Sequence, residues 1–410
     1  MQTCRVCGGT ALHLVVDLGT SPLSNAYLSG DDLSRAEVFY PLAPQFCADC
    51  YLVQLPELVA PEQIFTEYAY FSSYSDTWTD HAQRYAATMI ERLGLGQEHL
   101  VVEVASNDGY LLKHFHSAGI PVLGIEPARN VAAVAEQSGV RTLSRFFGLA
   151  LGKELAGNGQ RATLLIGNNV LAHVPDLHDF VGGLSLVLAP GGVITMEFPH
   201  LLRLLEQTQF DTIYHEHFSY LSLLTVDRLF RQHGLQIFAV EEMPTHGGSL
   251  RIYAAHQGER AREATMDELQ QRERDAGLMS LAPYRAFAER VQRTKLSFLR
   301  FMVEQRDRGL QVAGYGAPAK ANTLLNYCGV RPDLIAYTVD RSPHKQGRFL
   351  PGTRIPVHAP DRLTVTRPDW IVIFPWNLRQ EIAASLKPAR DWGARLVVPI
   401  PTLEVIDEVQ

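Results

Sequence analysis

Short apolar runs alternate along this chain with longer stretches in which apolar positions recur every three or four residues, first from about residue 100 and again from about residue 310. In the first series LVVEVASNDGYLLKHF reads as strand, tight turn and helix, and PVLGIEP, TLLIGNNVL and GGVITMEFP supply further strands with helical patterns between them. Strands alternating with helices predict a parallel sheet covered on both faces. LQIFAVEEM and SLRIYAAH predict one more strand pair. In the second series LQVAGYGAPAKANTLLN is strand, glycine turn and helix, followed by strands at LIAYTVDRS, DWIVIFPW and RLVVPIP, a second and smaller doubly wound unit. Between the two, residues 258–308 carry a charged helical pattern without strand signals. Ahead of both, LHLVVDL, FYPLAPQFC and YLVQL are separated by Gly, Ser, Pro and Asp, which predicts short strands and turns around a thin core. The aromatic stretch YAYFSSYSDTW then leads into a helix at HAQRYAATMIERLGL. The expectation is an α/β chain with segments 1–65, 66–257, 258–308 and 309–410.

Composition changes this picture little but excludes partners. Hydrophobic residues are 46% and charged residues 20% of 410, the balance of a globular enzyme with a full core. A net charge of -7 gives no basic face for nucleic acid. No run of about 20 apolar residues predicts a membrane span. The start MQTCRVCGGT lacks an apolar stretch behind basic residues, so a cytoplasmic chain is expected. In that setting the pairs Cys4-x-x-Cys7 and Cys47-x-x-Cys50, with 39 residues between them, read as metal ligands rather than disulfides. Zinc accepts four thiolates in a tetrahedron, and a two-residue gap lets each pair chelate from one turn. A closed four-cysteine site leaves no open position, so its expected role is structural, and it helps a thin module fold.

Chemistry gathers at the predicted strand ends. The turn Ala105-Ser106-Asn107-Asp108-Gly109 has one glycine, too few for a pyrophosphate cradle. Glu103 in the strand before it is the acidic start typical of adenosylmethionine turns, and Glu126, closing GIEP, suits two ribose hydroxyls. Asn168 and Asn169 end the third strand; a helix starting there would put Asn169 and His173 on one face. After EFPH (Glu197 to His200) comes Asp211-Thr212-Ile213-Tyr214-His215-Glu216-His217, dense in proton-handling groups. Methylating carbon requires a carbanion equivalent, so a base removes a proton beside a ketone while a donor holds the oxyanion. A histidine suits the first role, and Tyr214 or the second histidine the second. On a strand, His215 and His217 would share a side, which leaves open a metal held with Glu197 or Glu216.

The Cys pairs with EVASNDGYLL, GIEP, NNVLAHVPD, EFP and YHEHFSYLS together resemble the sugar C-methyltransferases, similar to those acting at carbon 3 of dTDP-linked 4-keto-deoxysugars. The resemblance runs over almost the whole chain. It implies a zinc-binding N-terminal module, a central class I Rossmann-like methyltransferase domain and a C-terminal Rossmann-like domain that binds the nucleotide sugar. It implies S-adenosylmethionine as cofactor and an enolate on a nucleotide-diphosphate-linked 4-keto-6-deoxysugar. It assigns His217 as base, with Tyr214 and Glu216 beside it. Tyr68, Glu103, Ser106, Asn107, Gly109, Glu126 and Asn168 would hold the cofactor. Asn169, His173, His246 and Arg251 (in HGGSLR), with Tyr315 and Lys320 (in GYGAPAK), would hold the substrate. Two rival readings are a nicotinamide-dependent nucleotide-sugar oxidoreductase, suggested by GYGAPA with Ala319 in the last glycine's place, and a non-enzymatic zinc-module adaptor. The identity of sugar and nucleotide base, and the oligomeric state, are open at this level, a monomer included.

Overall fold

The computed structural model describes residues 2–65, 73 and 76–406. Tyr68 and most of the aromatic YAYFSSY stretch lie outside the described residues. The chain forms two compact units, each assembled from three stretches: 1–12, 47–201 and 218–279 in the first, 13–46, 202–217 and 280–410 in the second. The long spacer between the cysteine pairs has its reason here. After Leu12 the chain leaves the first unit and returns to it at Cys47.

The first unit is built on a seven-stranded sheet. Its strands are β1 (Val101–Val104), β2 (Val122–Ile125), β3 (Thr142–Leu143), β4 (Ala162–Asn168), β5 (Leu188–Pro199), β6 (Leu235–Met243) and β7 (Ser249–His256). They lie in the order β3-β2-β1-β4-β5-β7-β6. Only β7 runs against its neighbours β5 and β6; the pairs among β1, β2, β3, β4 and β5 are parallel. All four residues of β1 are buried, as expected of a strand covered on both faces. Between β1 and β4 the strand order reverses, and open α/β sheets bind ligands outside the carboxyl ends of their strands at such a point. Helix starts are set by local chemistry. Asp176 caps helix Leu177–Val187 by accepting from the His178 and Asp179 amides, and the Ser222 hydroxyl accepts from the Thr225 amide at helix Leu223–Gln232. The helix considered at NNVLAHV is instead a single 3₁₀ turn, Leu171–His173. Asn169 has left-handed backbone (φ 52°) and its amide donates to the Glu197 carbonyl at 2.7 Å, which ends β4 against β5.

The second unit carries a six-stranded sheet of β8 (Val312–Tyr315), β9 (Thr338–Val339), β10 (Val357–His358), β11 (Trp370–Ile373), β12 (Arg395–Val398) and β13 (Glu404–Ile406). The order is β10-β9-β8-β11-β12-β13, with only β13 antiparallel. This is the order of doubly wound nucleotide-binding sheets, with its reversal between β8 and β11. Gly316 (φ 88°) makes the turn from β8 into helix Ala319–Cys328, and a Cβ there would strike the Pro375 ring. The charged stretch forms helices Ala264–Asp275 and Ala282–Asp307, and the passage from first to second unit falls between them.

Candidate active site and metal centre

In the first unit the four paired cysteines converge. Their sulfurs all lie within 4.8 Å of one another, with Cys4 to Cys50 at 3.3 Å and Cys7 to Cys47 at 3.6 Å. A tetrahedron of thiolates about 2.3 Å from zinc has edges of about 3.8 Å, so these sulfurs need almost no movement to hold the ion. The Cys50 thiol, donating to Cys4, pushes the Cys4 pKa down to about 5, the thiolate form that a metal requires. Between the first two ligands, Arg5 reaches away from the sulfurs. Its guanidinium donates to the carbonyls of Phe218 and Leu55, the latter at 2.8 Å.

At the reversal point of the first sheet, several backbones are held in unusual conformations. Ala105 (φ 57°) and Asn107 (φ 50°) follow β1 in the left-handed region, a cost that active-site turns commonly bear. Gly109 (φ 76°) lets the turn pack onto Val140 and Ala135. The Glu126 carboxylate ties this turn to β2, accepting from the Asn107 amide at 3.0 Å and the Ala128 amide at 2.9 Å. Glu103 is buried, and neither carboxylate oxygen has a partner among the described residues; the same holds for Ser106 Oγ, Asp108 Oδ1 and Asn168 Oδ1. Burial, reinforced by Asp108, Glu126 and Glu197, holds the Glu103 carboxyl well above the usual carboxylate range. The Tyr110 hydroxyl is joined by hydrogen bonds to Asn168 and Trp78.

A buried ion-pair network lies on β5 and β7 of the same unit. Glu197 receives Arg251 through Nε at 2.8 Å and through a second guanidinium nitrogen, and His81 Nε2 approaches its carboxylate at 3.1 Å. Burial would raise the Glu197 pKa, but His81 and Arg251 more than offset this and hold it low. Arg251 also meets Glu241 at 3.0 Å, so its charge is engaged within the protein. Trp78 stacks on His81 with ring centroids 4.9 Å apart and contacts His246 at 5.2 Å. The Asn169 amide donates to His246 Nε2 at 3.3 Å. His173 is half-buried at the end of its 3₁₀ turn.

The second unit holds the residues 211–217. They form a turn, not a strand, and the two imidazoles have separate partners. His215 Nε2 donates to the Pro41 carbonyl at 3.1 Å, and burial pushes its pKa down. His217 Nδ1 donates to the Thr212 carbonyl at 2.8 Å. A carbonyl only accepts, so Nδ1 carries the proton and the basic lone pair of the neutral ring is at Nε2. The Tyr214 ring lies over the His217 ring at 4.1 Å. Glu216 is buried, with both oxygens 2.8 Å from the Asn25 amide nitrogen. Metal binding by the two histidines is not supported: among the described residues, the cysteine quartet is the group of ligands close enough to share an ion. Asp211 accepts from Trp376 Nε1 at 2.7 Å, and burial pushes its carboxyl up to about 6 against the pull of Lys320. Lys320 itself donates to Asn377 at 2.7 Å and lies over the Trp376 ring at 4.7 Å. Tyr315 is buried in β8. Arg5, Asn25, Trp78, His81, Thr323 and Trp376 carry no individual signal in the sequence, because each is marked by its partner in space and not by its place in a motif.

Comparisons with known proteins decide the family. A zinc binding domain model matches residues 4–65, a methyltransferase domain model residues 78–240, and a C-methyltransferase C-terminal domain model residues 244–401. The chain is 37% identical over 408 residues to the C-methyltransferase NovU of Streptomyces niveus, covering 99% of this chain and 97% of that one. This chain belongs to the S-adenosylmethionine-dependent C-methyltransferases. Among solved structures it is similar to the magnesium protoporphyrin IX methyltransferase of Synechocystis PCC 6803 with bound SAM (16% identity, TM-score 0.33, 44% of this chain and 82% of that one). It is also similar to an S-adenosylmethionine-dependent methyltransferase of Clostridium acetobutylicum ATCC 824 (9% identity, TM-score 0.35, 44% and 92%). Those likenesses are distant, and the assignment does not rest on them.

The first unit fits the family's two bound groups. The cysteine quartet has the ligand type and spacing of a structural zinc site. S-adenosylmethionine is positively charged at sulfur and at its amino group, and Glu103 in β1, Asp108 in the turn after it and Glu126 at the end of β2 are acidic groups that feel one another's charge. A cation there would relieve the repulsion from Asp108, Glu126 and Glu197 that adds to burial in raising the Glu103 pKa. As a C-methyltransferase the chain is an enzyme, neither an oxidoreductase nor an adaptor. No helix among the described residues is long and apolar enough to cross a membrane.

Proposed function

We propose that this C-methyltransferase acts on a ring carbon, carbon 3, beside the ketone of a nucleotide-diphosphate-linked 4-keto-6-deoxysugar, dTDP being the favoured carrier, in the cytoplasm. What carries the proposal is the His217 imidazole. With Nδ1 tied to the Thr212 carbonyl, its Nε2 is the nitrogen able to accept a proton. His217 removes the proton from the carbon next to the ketone. Tyr214, its ring 4.1 Å from that imidazole, donates to the developing enolate oxygen. Glu216, held by Asn25, keeps the loop in register. Bound S-adenosylmethionine supplies the electrophilic methyl on a positive sulfur. Glu103, Ser106, Asn107, Gly109, Glu126 and Asn168 hold it. Asn169, His173 and His246 orient the sugar, and Arg251 fixes Glu197 in the same unit. Tyr315 and Lys320 serve the nucleotide diphosphate. Holding both reactants in line contributes on the order of 7–11 kcal/mol of the barrier reduction.

The direct test is product analysis. The enzyme, a dTDP-4-keto-6-deoxysugar and methyl-¹³C-labelled S-adenosylmethionine should yield a nucleotide sugar whose labelled methyl is coupled by NMR to ring carbon 3. Label on a sugar oxygen, or none on any nucleotide-linked keto-sugar tried, would overturn the proposal.

A further inference from the structure

The base-bearing loop is gripped by the two elements that flank the reversal point of the second unit's own sheet. From helix Ala319–Cys328, Thr323 Oγ1 donates to the Ile213 carbonyl at 2.9 Å. From the segment after β11, Trp376 Nε1 donates to Asp211 Oδ2 at 2.7 Å. Both side chains are buried, Thr323 at 1% and Trp376 at 6% exposure. The residue between their two targets is Thr212, and its carbonyl is the acceptor that fixes the protonated nitrogen of His217. Residues 211–213 are thus held on either side of the one oxygen that sets the tautomer, through the Asp211 carboxylate on one side and the Ile213 carbonyl on the other. A hydrogen bond to one ring nitrogen, held in place by its surroundings, commonly decides which imidazole nitrogen is basic.

We infer that Thr323 and Trp376 are positioning residues for His217, holding residues 211–213 so that the Thr212 carbonyl keeps the proton on Nδ1 and the lone pair on Nε2. The inference rests on the reading of His217 as the base. Neither residue needs to touch the sugar or the cofactor. Loosening either grip lets the Thr212 carbonyl turn away, and the ring then populates the tautomer whose Nε2 is protonated and unable to accept. The cost falls on the chemical step and not on binding. Lys320, over the Trp376 ring and drawn to Asp211, makes this framework part of the crevice where a nucleotide diphosphate is expected.

The test uses the full-length zinc-loaded enzyme and the variants Thr323→Val, which keeps the shape and removes the donor, and Trp376→Phe, which keeps a ring and removes the N–H. Each should lower kcat roughly 10- to 100-fold, leave KM for the nucleotide sugar and Kd for S-adenosylmethionine within about twofold, and slow exchange of the substrate's alpha proton with deuterium in parallel. Thr323→Ser should recover most of the loss. ¹⁵N spectra of histidine-labelled protein should show His217 as the Nδ1–H tautomer in the parent and as a mixture in Thr323→Val. Full exchange and kcat in both variants, an unchanged His217 spectrum, or an equal loss of cofactor affinity would overturn the inference. Failure of the underlying reading looks different: His217→Ala would then exchange the alpha proton at the parent rate.

Discussion

Single residues in this enzyme sit where carrying charge is costly, and Glu103 is the clearest case. Its carboxyl is buried in β1, raised by burial and by its acidic neighbours, and has no hydrogen-bond partner among the described residues. A carboxyl whose folded pKa is raised loses stability as pH rises above its unfolded value of 4.5, because the unfolded chain releases the proton more readily. Glu103→Gln should therefore stabilise the cofactor-free protein at pH 7, and the gain should vanish below pH 4.5. The same change should weaken S-adenosylmethionine binding roughly ten- to a hundredfold, since a charged acceptor is lost. Denaturant melts against pH and calorimetric titration read the two effects; a variant less stable at pH 7 that binds as before would contradict the account. Sequence spacing was enough to single out Glu103 and Glu126, because an acid in the first strand and another closing the second are set by the strand–turn–helix pattern. It could not reveal that Arg251 is consumed by Glu197 and Glu241, since a side chain's partners depend on which strands become neighbours.

At the scale of elements, the cysteine quartet and the arginine beside it tie the start of the chain into the first unit. Cys4 and Cys7 bracket Arg5, whose guanidinium holds the carbonyl of Phe218, the residue that follows His217. Removing the metal with a strong chelator should release one zinc per chain, lower the melting temperature and abolish turnover, all recovered on adding zinc back. Arg5→Met should keep the zinc yet cost about 1.5–3 kcal/mol of stability, because charge-assisted hydrogen bonds to buried carbonyls are lost. Metal analysis beside a thermal melt separates the two; an Arg5→Met protein as stable as the parent would remove the link. The paired spacing made the ligands legible, as did the strand–helix alternation for β1, β2, β4 and β5. The 3₁₀ turn at Leu171–His173 was not legible, because the Asn169 left-handed turn that prevents a helix is imposed by pairing with Glu197 on β5. The short strands β10 and β13 escaped notice because a two- or three-residue edge strand leaves no periodicity to read.

For the whole molecule, the chain visits its two units alternately, so that residues 13–46 and 202–217 belong with the C-terminal sheet and not with the sequence around them. Hydrophobic pattern cannot show such returns, since it reports what is buried and not against what. It was nonetheless sufficient for two doubly wound sheets and their glycine turns, because those are local in sequence. The loop bearing His217 interrupts the methyltransferase strands in sequence yet takes its hydrogen bonds from Thr323, Trp376 and Asn25 of the second unit. The central claim is that this imidazole makes the carbon nucleophile. The measurement that tests it most directly is exchange of the proton beside the ketone in D₂O, followed by NMR with S-adenosylhomocysteine in place of the methyl donor. The parent should exchange that proton; His217→Ala should bind both ligands normally and exchange it more slowly by on the order of 10²–10⁴-fold. Exchange at the parent rate in His217→Ala would contradict the account.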